Sequence, residues 1–199
     1  MSLLEKLQFT KMELRDIAIA TLVLTLIFSF SAYPSISLSV DRLIPAFIVV
    51  VTAFILHEMA HKFMAIKYRC DAYFKIWPQG LLLGLLTMFL PFKFVAPGAT
   101  VIHPHRHGRW MFKESRLTVK EVGVIGAVGP MVNIVLALIF LPFAGLSLFN
   151  TLFSINAYLA FFNLLPIPPL DGSKVIAWTP WMWFFMIVLS GILSFTVAI

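Results

Sequence analysis

Long apolar segments alternate with short polar ones along the chain. Runs with few or no charged residues cover positions 17–33, 43–66, 122–143 and 146–165, and no charged residue follows Lys174. Runs of about 20 apolar residues are long enough to cross a bilayer as helices. The pattern therefore predicts an all-α polytopic membrane protein with about five to six transmembrane helices.

Composition supports this prediction. Charged residues make up 12% of the 199 residues, whereas soluble domains have about a quarter. Hydrophobic residues make up 60%, and the mean hydropathy is +0.95. These values exclude soluble globular, disordered and disulfide-rich secreted proteins, and the single cysteine, Cys70, cannot form an internal disulfide. The net charge of +6 is explained by basic residues at a cytoplasmic membrane face rather than by nucleic-acid binding.

The segment 81–97 is apolar, but glycines and prolines interrupt it and Lys93 lies within it. If it enters and leaves on one side, fourteen of the fifteen Lys and Arg residues are cytoplasmic and only Arg42 is outside. The positive-inside rule favours this arrangement over a crossing, which divides the basic residues evenly. We therefore predict a membrane-embedded re-entrant β-hairpin over 72–102, with strands near 73–77 and 92–96. The protein is expected in the cell membrane, with its N-terminus in the cytoplasm.

Three regions follow from this pattern. Residues 1–42 form a leader and a first transmembrane helix, residues 43–175 form the membrane core, and residues 176–199 form a C-terminal transmembrane segment. The core contains the hairpin 72–102 and a basic loop 103–121. A cleaved signal peptide is the alternative for the first run, since small residues end it, but the long mixed-charge leader argues against one.

The basic loop supports two interpretations. His103, His105 and His107 alternate, as a metal site on an extended segment requires, but no carboxylate follows until Glu114. Basic residues at helical spacing favour an amphipathic helix on anionic lipid instead, and they are Arg109, Lys113, Arg116 and Lys120.

An H-E-x-x-H sequence lies inside the second apolar run. His57 and His61 are four residues apart and share a helix face, so both imidazoles can bind one zinc ion while Glu58 lies beside its open coordination position. Ionisable side chains in a membrane helix need partners. The alternative is that the histidines extend toward the helix end and that Glu58 pairs with Lys62.

A catalytic zinc site needs a third protein ligand besides two histidines. Asp171 is the only carboxylate after Glu121, so it is the candidate. The prolines of the preceding N-L-L-P-I-P-P-L segment force an extended backbone, and Gly172 permits a close approach. The alternative is a cytoplasmic turn in which Asp171 pairs with Lys174.

Two asparagines lie in or at the end of apolar runs. An Asn in a membrane helix often links helices by a hydrogen bond, and for Asn133 this interpretation and a supporting role at the site both stay open. Asn163, eight residues before Asp171, is the stronger candidate for holding a substrate carbonyl or stabilising an oxyanion.

The order of the motifs resembles the site-2 protease family of intramembrane zinc metalloproteases. The motifs are H-E-x-x-H at 57–61, G-P-M-V-N at 129–133 and N-x-x-P-x-P-x-L-D-G at 163–172, and they cover about residues 43–175. The resemblance implies one zinc ion bound by His57, His61 and Asp171, with Glu58 as general base and Asn163 as a polar helper. It also implies a core of three membrane helices, a membrane-embedded β-rich loop and an active site toward the cytosol. Many members carry a PDZ or CBS domain, and neither fits in this sequence.

The sequence thus predicts a zinc metalloendopeptidase that hydrolyses peptide bonds in or near transmembrane helices, in regulated intramembrane proteolysis. Its expected partners are a transmembrane-helix protein substrate and the lipid bilayer. The alternatives are a membrane metal transporter and a noncatalytic membrane scaffold that carries zinc. Transporters usually show internal repeats and ionisable residues spread along a pathway, and this sequence has neither.

Overall fold

The computed structural model describes residues 8–31, 37, 38, 40–90, 93, 96–104 and 117–196. Within these ranges the chain is mostly helical, with one two-stranded sheet. The helices are α1 (Lys11–Ser29), α2 (Leu43–Val50), α3 (Leu56–Lys67), α4 (Pro78–Thr87), α5 (Val119–Phe140), α6 (Ser147–Asn163), α7 (Asp171–Trp178) and α8 (Pro180–Thr196).

Two of these helical stretches are long and apolar enough to cross a membrane. A π-helical segment, Val51–Ile55, joins α2 to α3, so that Val40–Lys67 is one continuous helix, and Val119–Phe143 is the other. Both coincide with predicted spans. The prediction of five to six spans stays a prediction, because the remaining described helices are shorter or less apolar.

The sheet pairs β1 (Cys70–Ile76) with β2 (Gly98–Pro104) in antiparallel register, from Cys70 opposite Pro104 to Ile76 opposite Gly98. The first predicted strand, 73–77, overlaps β1. The second, 92–96, was placed too early, because β2 begins at Gly98; positions 92, 94 and 95 lie outside the described residues. The β-branched run of β2 suits a strand, whereas Pro97 cannot donate to a ladder.

Helix α1 covers the outer edge of β1. The Glu13 carboxylate accepts a hydrogen bond from Phe74 N at 3.1 Å, and Asp16 accepts one from Ile76 N at 3.3 Å. Lys62 of α3 donates to both Glu13 oxygens at 2.7 Å, and this ion pair is fully buried. The alternative pairing of Glu58 with Lys62 is therefore wrong, since Glu13 occupies the lysine.

Lys93 lies far from the other basic residues assigned to the cytoplasm. Its Nζ donates to Ile27 O at 2.6 Å and Phe30 O at 2.7 Å, at the end of α1. Arg42 donates to Ser31 at that same end. The segment after α4 therefore reaches the end of α1 that lies opposite Glu13, and the assignment of Lys93 to the cytoplasmic side stays a prediction.

The C-terminal region contains two helices where the sequence predicted one span. Thr179 is extended and separates α7 from α8, which begins at Pro180. A residue before proline is disfavoured in helical conformation. Because α7 ends here, it is a short helix that packs against α5 and carries Asp171 and Lys174.

Candidate metal centre

Three side chains from two distant parts of the chain meet in the interior. His57 Nε2 and His61 Nε2 of α3 lie 3.0 Å apart, and Asp171 Oδ2 at the start of α7 lies 3.3 Å and 3.0 Å from them. All three residues are buried. In the described part of the chain, this is where His, Cys, Asp or Glu side chains come close enough together to hold a metal ion.

The outer nitrogen of each imidazole is occupied by an acceptor. His57 Nδ1 contacts Asn133 Oδ1 at 2.6 Å, and His61 Nδ1 contacts Ile125 O at 2.7 Å. A backbone carbonyl can only accept, so His61 Nδ1 carries the proton. Asn133 Nδ2 donates to Ala53 O at 2.8 Å and Asn156 Oδ1 at 2.9 Å, so its Oδ1 accepts from His57. Both Nε2 atoms are therefore unprotonated when the rings are neutral.

The donor set fits a divalent cation. Two Nε2 lone pairs and a carboxylate oxygen face one another with no proton between them, which is unfavourable unless a cation lies among them. Two imidazoles and one carboxylate suit zinc, and a catalytic zinc site has three such ligands. Hydrogen bonds at the outer nitrogens are the usual support of zinc-binding histidines.

Gly129 of α5 leaves space beside the two Nε2 atoms. A Cβ at this position would overlap His61 Nε2 and lie 2.7 Å from His57 Nε2. The close approach of α5 to α3 thus depends on glycine, and the space is on the metal-facing side of both rings.

Asp171 makes two kinds of contact at once. Its Oδ2 faces the histidines, while its Oδ1 accepts a 2.7 Å hydrogen bond from Lys174 Nζ, one turn along α7. The two sequence interpretations of Asp171, as ligand and as partner of Lys174, are therefore compatible. Hydrogen bonding of the second oxygen holds a ligand carboxylate in one orientation.

Glu58 lines a cavity of about 370 Å³ next to the histidines. Its Oε2 accepts a hydrogen bond from Thr100 Oγ1 at 2.8 Å. Asn163 lines the same cavity, and its Nδ2 donates to Leu159 O at 3.0 Å, which uses one of its two N–H groups. Residues of β2 form another wall, including Gly98, Thr100 and Ile102.

Two polar neighbours of the centre are not predicted from the sequence as part of it. Asn156 is fully buried and bridges Asn133 to Leu152 O, and Thr100 contacts Glu58. Asn156 had a usable signal, since it is an amide in an apolar helix, as Asn133 is. Thr100 had none, because threonine is common in strands.

The alternating histidines of the basic loop lie apart from this centre. His103, on β2, is exposed and stacks on Tyr73 with ring centroids 5.7 Å apart. His105 and His107 lie outside the described residues, as do Arg109, Lys113 and Arg116 of the predicted amphipathic helix.

A mostly helical chain with an H-E-x-x-H helix and a facing aspartate defines a zinc metalloprotease centre. The chain is 38% identical over 185 residues to "Putative zinc metalloprotease MJ0611" of Methanocaldococcus jannaschii, covering 88% of this chain and 89% of that protein. It is 30% identical over 156 residues to "Putative zinc metalloprotease YwhC" of Bacillus subtilis, covering 65% and 66%. No protein-family model and no solved structure matches. The chain belongs to a family of zinc metalloproteases, and its cofactor is zinc.

Proposed function

We propose that the protein is an intramembrane zinc metalloprotease of the site-2 type, which cleaves protein substrates in or near their transmembrane helices. The observation that carries the proposal is the position of the centre. His57, Glu58 and His61 lie within a 28-residue helix that is long and apolar enough to cross a membrane, and Asp171 meets the two histidines there.

The residues divide the chemistry among themselves. His57, His61 and Asp171 would hold zinc, which supplies a Lewis acid for the scissile carbonyl and lowers the pKa of water. Glu58 accepts the proton of the attacking water and returns it to the leaving amine. Asn163 has an N–H group left to donate to the carbonyl oxygen of the substrate.

The depth of the centre requires a short route for water. His57 lies about 14 residues along the helix from Leu43, or roughly 20 Å at 1.5 Å per residue. About 10 Å then remain to the inner face of a core that is about 30 Å thick. We propose that water reaches the centre through the cavity that Glu58, His57 and His61 line.

Strand β2 offers a place for an unwound substrate. In an antiparallel ladder, pairs of opposite residues alternate: in one pair the backbone N–H and C=O groups bond to the partner strand, and in the next pair they point away from it. Phe74 N and Ile76 N point away from β2, toward α1, so their partners Thr100 and Gly98 direct their backbone groups to the outer edge. This edge lines the cavity. A substrate strand added here would receive main-chain hydrogen bonds with little demand on its sequence.

The test is cleavage of a model transmembrane helix by purified, zinc-loaded protein in proteoliposomes. Glu58→Gln keeps the shape of the side chain but removes the base, so we expect a loss of about 10²- to 10⁴-fold in rate with zinc still bound. Asp171→Ala removes a ligand, so both zinc content and cleavage should fall.

Each alternative predicts a different result. Cleavage by Glu58→Gln at the wild-type rate would contradict the proposed mechanism. Cleavage of extended soluble peptides but of no membrane helix would contradict intramembrane proteolysis and would indicate a metallopeptidase that acts on soluble substrates. Zinc uptake into the liposomes without any cleavage indicates a transporter, and bound zinc with neither activity indicates a scaffold.

A further inference from the structure

Glu58 is held by a residue from a different element. Its Oε2 accepts the Thr100 hydroxyl hydrogen bond at 2.8 Å, and a longer contact of 3.5 Å joins Thr100 Oγ1 to Glu58 O. Lys62, four residues along the helix, is turned away from Glu58 and fully buried against Glu13. Among the described residues, Thr100 is therefore the side chain that donates to this carboxylate.

The direction of the hydrogen bond follows from its chemistry. An ionised carboxylate only accepts, so Thr100 donates, and such a bond to a charged group is stronger than one between neutral groups. A glutamate side chain has three rotatable bonds, and fixing one oxygen limits the other to a narrow region. Oε1 is then the oxygen left for proton transfer.

Thr100 is itself held firmly. It pairs with Phe74 in the β1–β2 ladder, and the Phe74 side chain is buried against Phe54, with ring centroids 5.4 Å apart. The hydroxyl is thus presented from a paired strand, and sites built on strands are more precise than sites on loops. The backbone of the same residue faces the outer edge of β2, where the proposed substrate strand would bind.

We propose that Thr100 is the positioning residue of Glu58 and that it couples the edge of β2 to the general base. The proposal rests on the proposed function, because Glu58 acts there as the base. One residue then contacts the substrate main chain through its backbone and orients the base through its side chain. A substrate bound along β2 is aligned with Glu58 by this shared residue.

Two variants separate the hydroxyl from the shape of the side chain. Thr100→Val keeps the branched shape and removes the donor, whereas Thr100→Ser keeps the donor. In the cleavage assay, we expect Thr100→Val to lower kcat about 10- to 100-fold with KM unchanged. Thr100→Ser should restore most of kcat. Thr151→Val is the matched control, since among the described residues the Thr151 hydroxyl donates to Ser147 O of its own helix at 3.0 Å.

A second readout does not depend on cleavage. Acetohydroxamic acid is a small zinc chelator that binds as its anion and passes its O–H proton to a neighbouring carboxylate, so its affinity for the zinc-loaded protein reports the position of Glu58. Calorimetry should show weaker binding to Thr100→Val and to Glu58→Gln, and near wild-type binding to Thr100→Ser and Thr151→Val.

The outcomes distinguish the two proposals. Wild-type kcat and wild-type hydroxamate affinity in Thr100→Val would overturn the positioning role. Equal losses in Thr100→Ser and Thr100→Val would also overturn it, because they indicate a structural requirement for threonine. If the wild-type protein cleaves nothing but the hydroxamate pattern holds, the protease proposal fails and the positioning of Glu58 by Thr100 stands.

Discussion

The buried side-chain amide of Asn133 determines the tautomer of His57. Asn133 has two donor hydrogens and one acceptor oxygen, and Ala53 O and Asn156 Oδ1 take the donors. The acceptor is left for His57 Nδ1, which fixes the tautomer that leaves Nε2 free for zinc. The Ala53 carbonyl belongs to the π-helical segment, an irregularity that often occurs at functional sites. Asn133 thus links helices and also contacts His57, one of the proposed zinc ligands.

Replacing Asn133 should weaken zinc binding without removing a ligand. In Asn133→Leu, His57 loses its hydrogen-bond acceptor, and we expect zinc affinity to fall about 10- to 100-fold. Competition with a chromophoric chelator measures this. The matched control is Asn150→Leu, because Asn150 contacts Ser154 and is not part of the centre. Unchanged affinity in Asn133→Leu would mean that His57 is oriented by other groups.

At the residue scale, the sequence predicted the groups whose chemistry is local. The spacing of His57 and His61 places both on one helix face whatever the helix packs against. The role of Asn133 could not be decided in this way, since it depends on which helices cross beside it. Thr100 was missed for the same reason, because its contact with Glu58 joins residues 42 positions apart.

Helix α5 reaches the centre because small residues lie on its inner face. Gly126 lies against the Lys174 side chain of α7, and Gly129 lies against the histidines of α3. The same helix therefore packs closely against both elements that carry proposed ligands. Gly129-Pro130 was part of the sequence motif, but its physical reason becomes clear only from the contact.

An added methyl group at Gly129 should separate α5 from α3. The two rings cannot move away from the added methyl group without breaking hydrogen bonds, because their Nδ1 atoms are bonded to Asn133 and to Ile125 O of the same helix. We expect Gly129→Ala to lose most of its zinc, measured by mass spectrometry of the metal. We also expect a loss of about 1–3 kcal/mol in stability, measured by thermal unfolding in detergent.

Gly145→Ala is the matched control for this substitution. A Cβ at Gly145 meets nothing within 4 Å, so zinc content and unfolding temperature should stay at wild-type values. Full zinc occupancy in Gly129→Ala would show that the helices can separate without loss of the centre, and would contradict the role given to this glycine.

At the element scale, helices were easier to predict than strands. Apolar runs as long as 43–66 and 122–143 predict helices, because a helix satisfies its backbone hydrogen bonds internally when it crosses a membrane. The hairpin was harder, because its strands depend on pairing between distant segments. Strand β2 begins at Gly98, after Pro97, whereas the predicted strand is 92–96. Helix α4 lies within the range 72–102 of the predicted hairpin.

The segment 70–104 begins and ends at the β1–β2 sheet, beside the first turns of α1. Cys70 lies opposite Pro104, so the two ends of this segment meet. The strand β1 contacts the first turns of α1 through Glu13 and Asp16, whereas Lys93 contacts its last carbonyls. A 19-residue helix is about 28 Å long, so the segment extends along α1 and comes back. Helix α4, at 10 residues, is too short to cross a core of about 30 Å.

This arrangement predicts that Lys67 and Lys120 lie on the same side of the membrane. Both are exposed and flank the returning segment, and the positive-inside rule assigns them to the cytoplasm. In a Cys70→Ser background, Lys67→Cys and Lys120→Cys should react with an impermeant maleimide in inside-out vesicles but not in intact spheroplasts. Asp41→Cys, exposed at the other end of the Val40–Lys67 helix, is the control and should react in spheroplasts. Opposite reactivity of Lys67→Cys and Lys120→Cys would mean that the segment crosses. The proposed binding of a substrate strand at the β2 edge would then be contradicted, because a segment that crosses the membrane cannot bring both of its ends to one face.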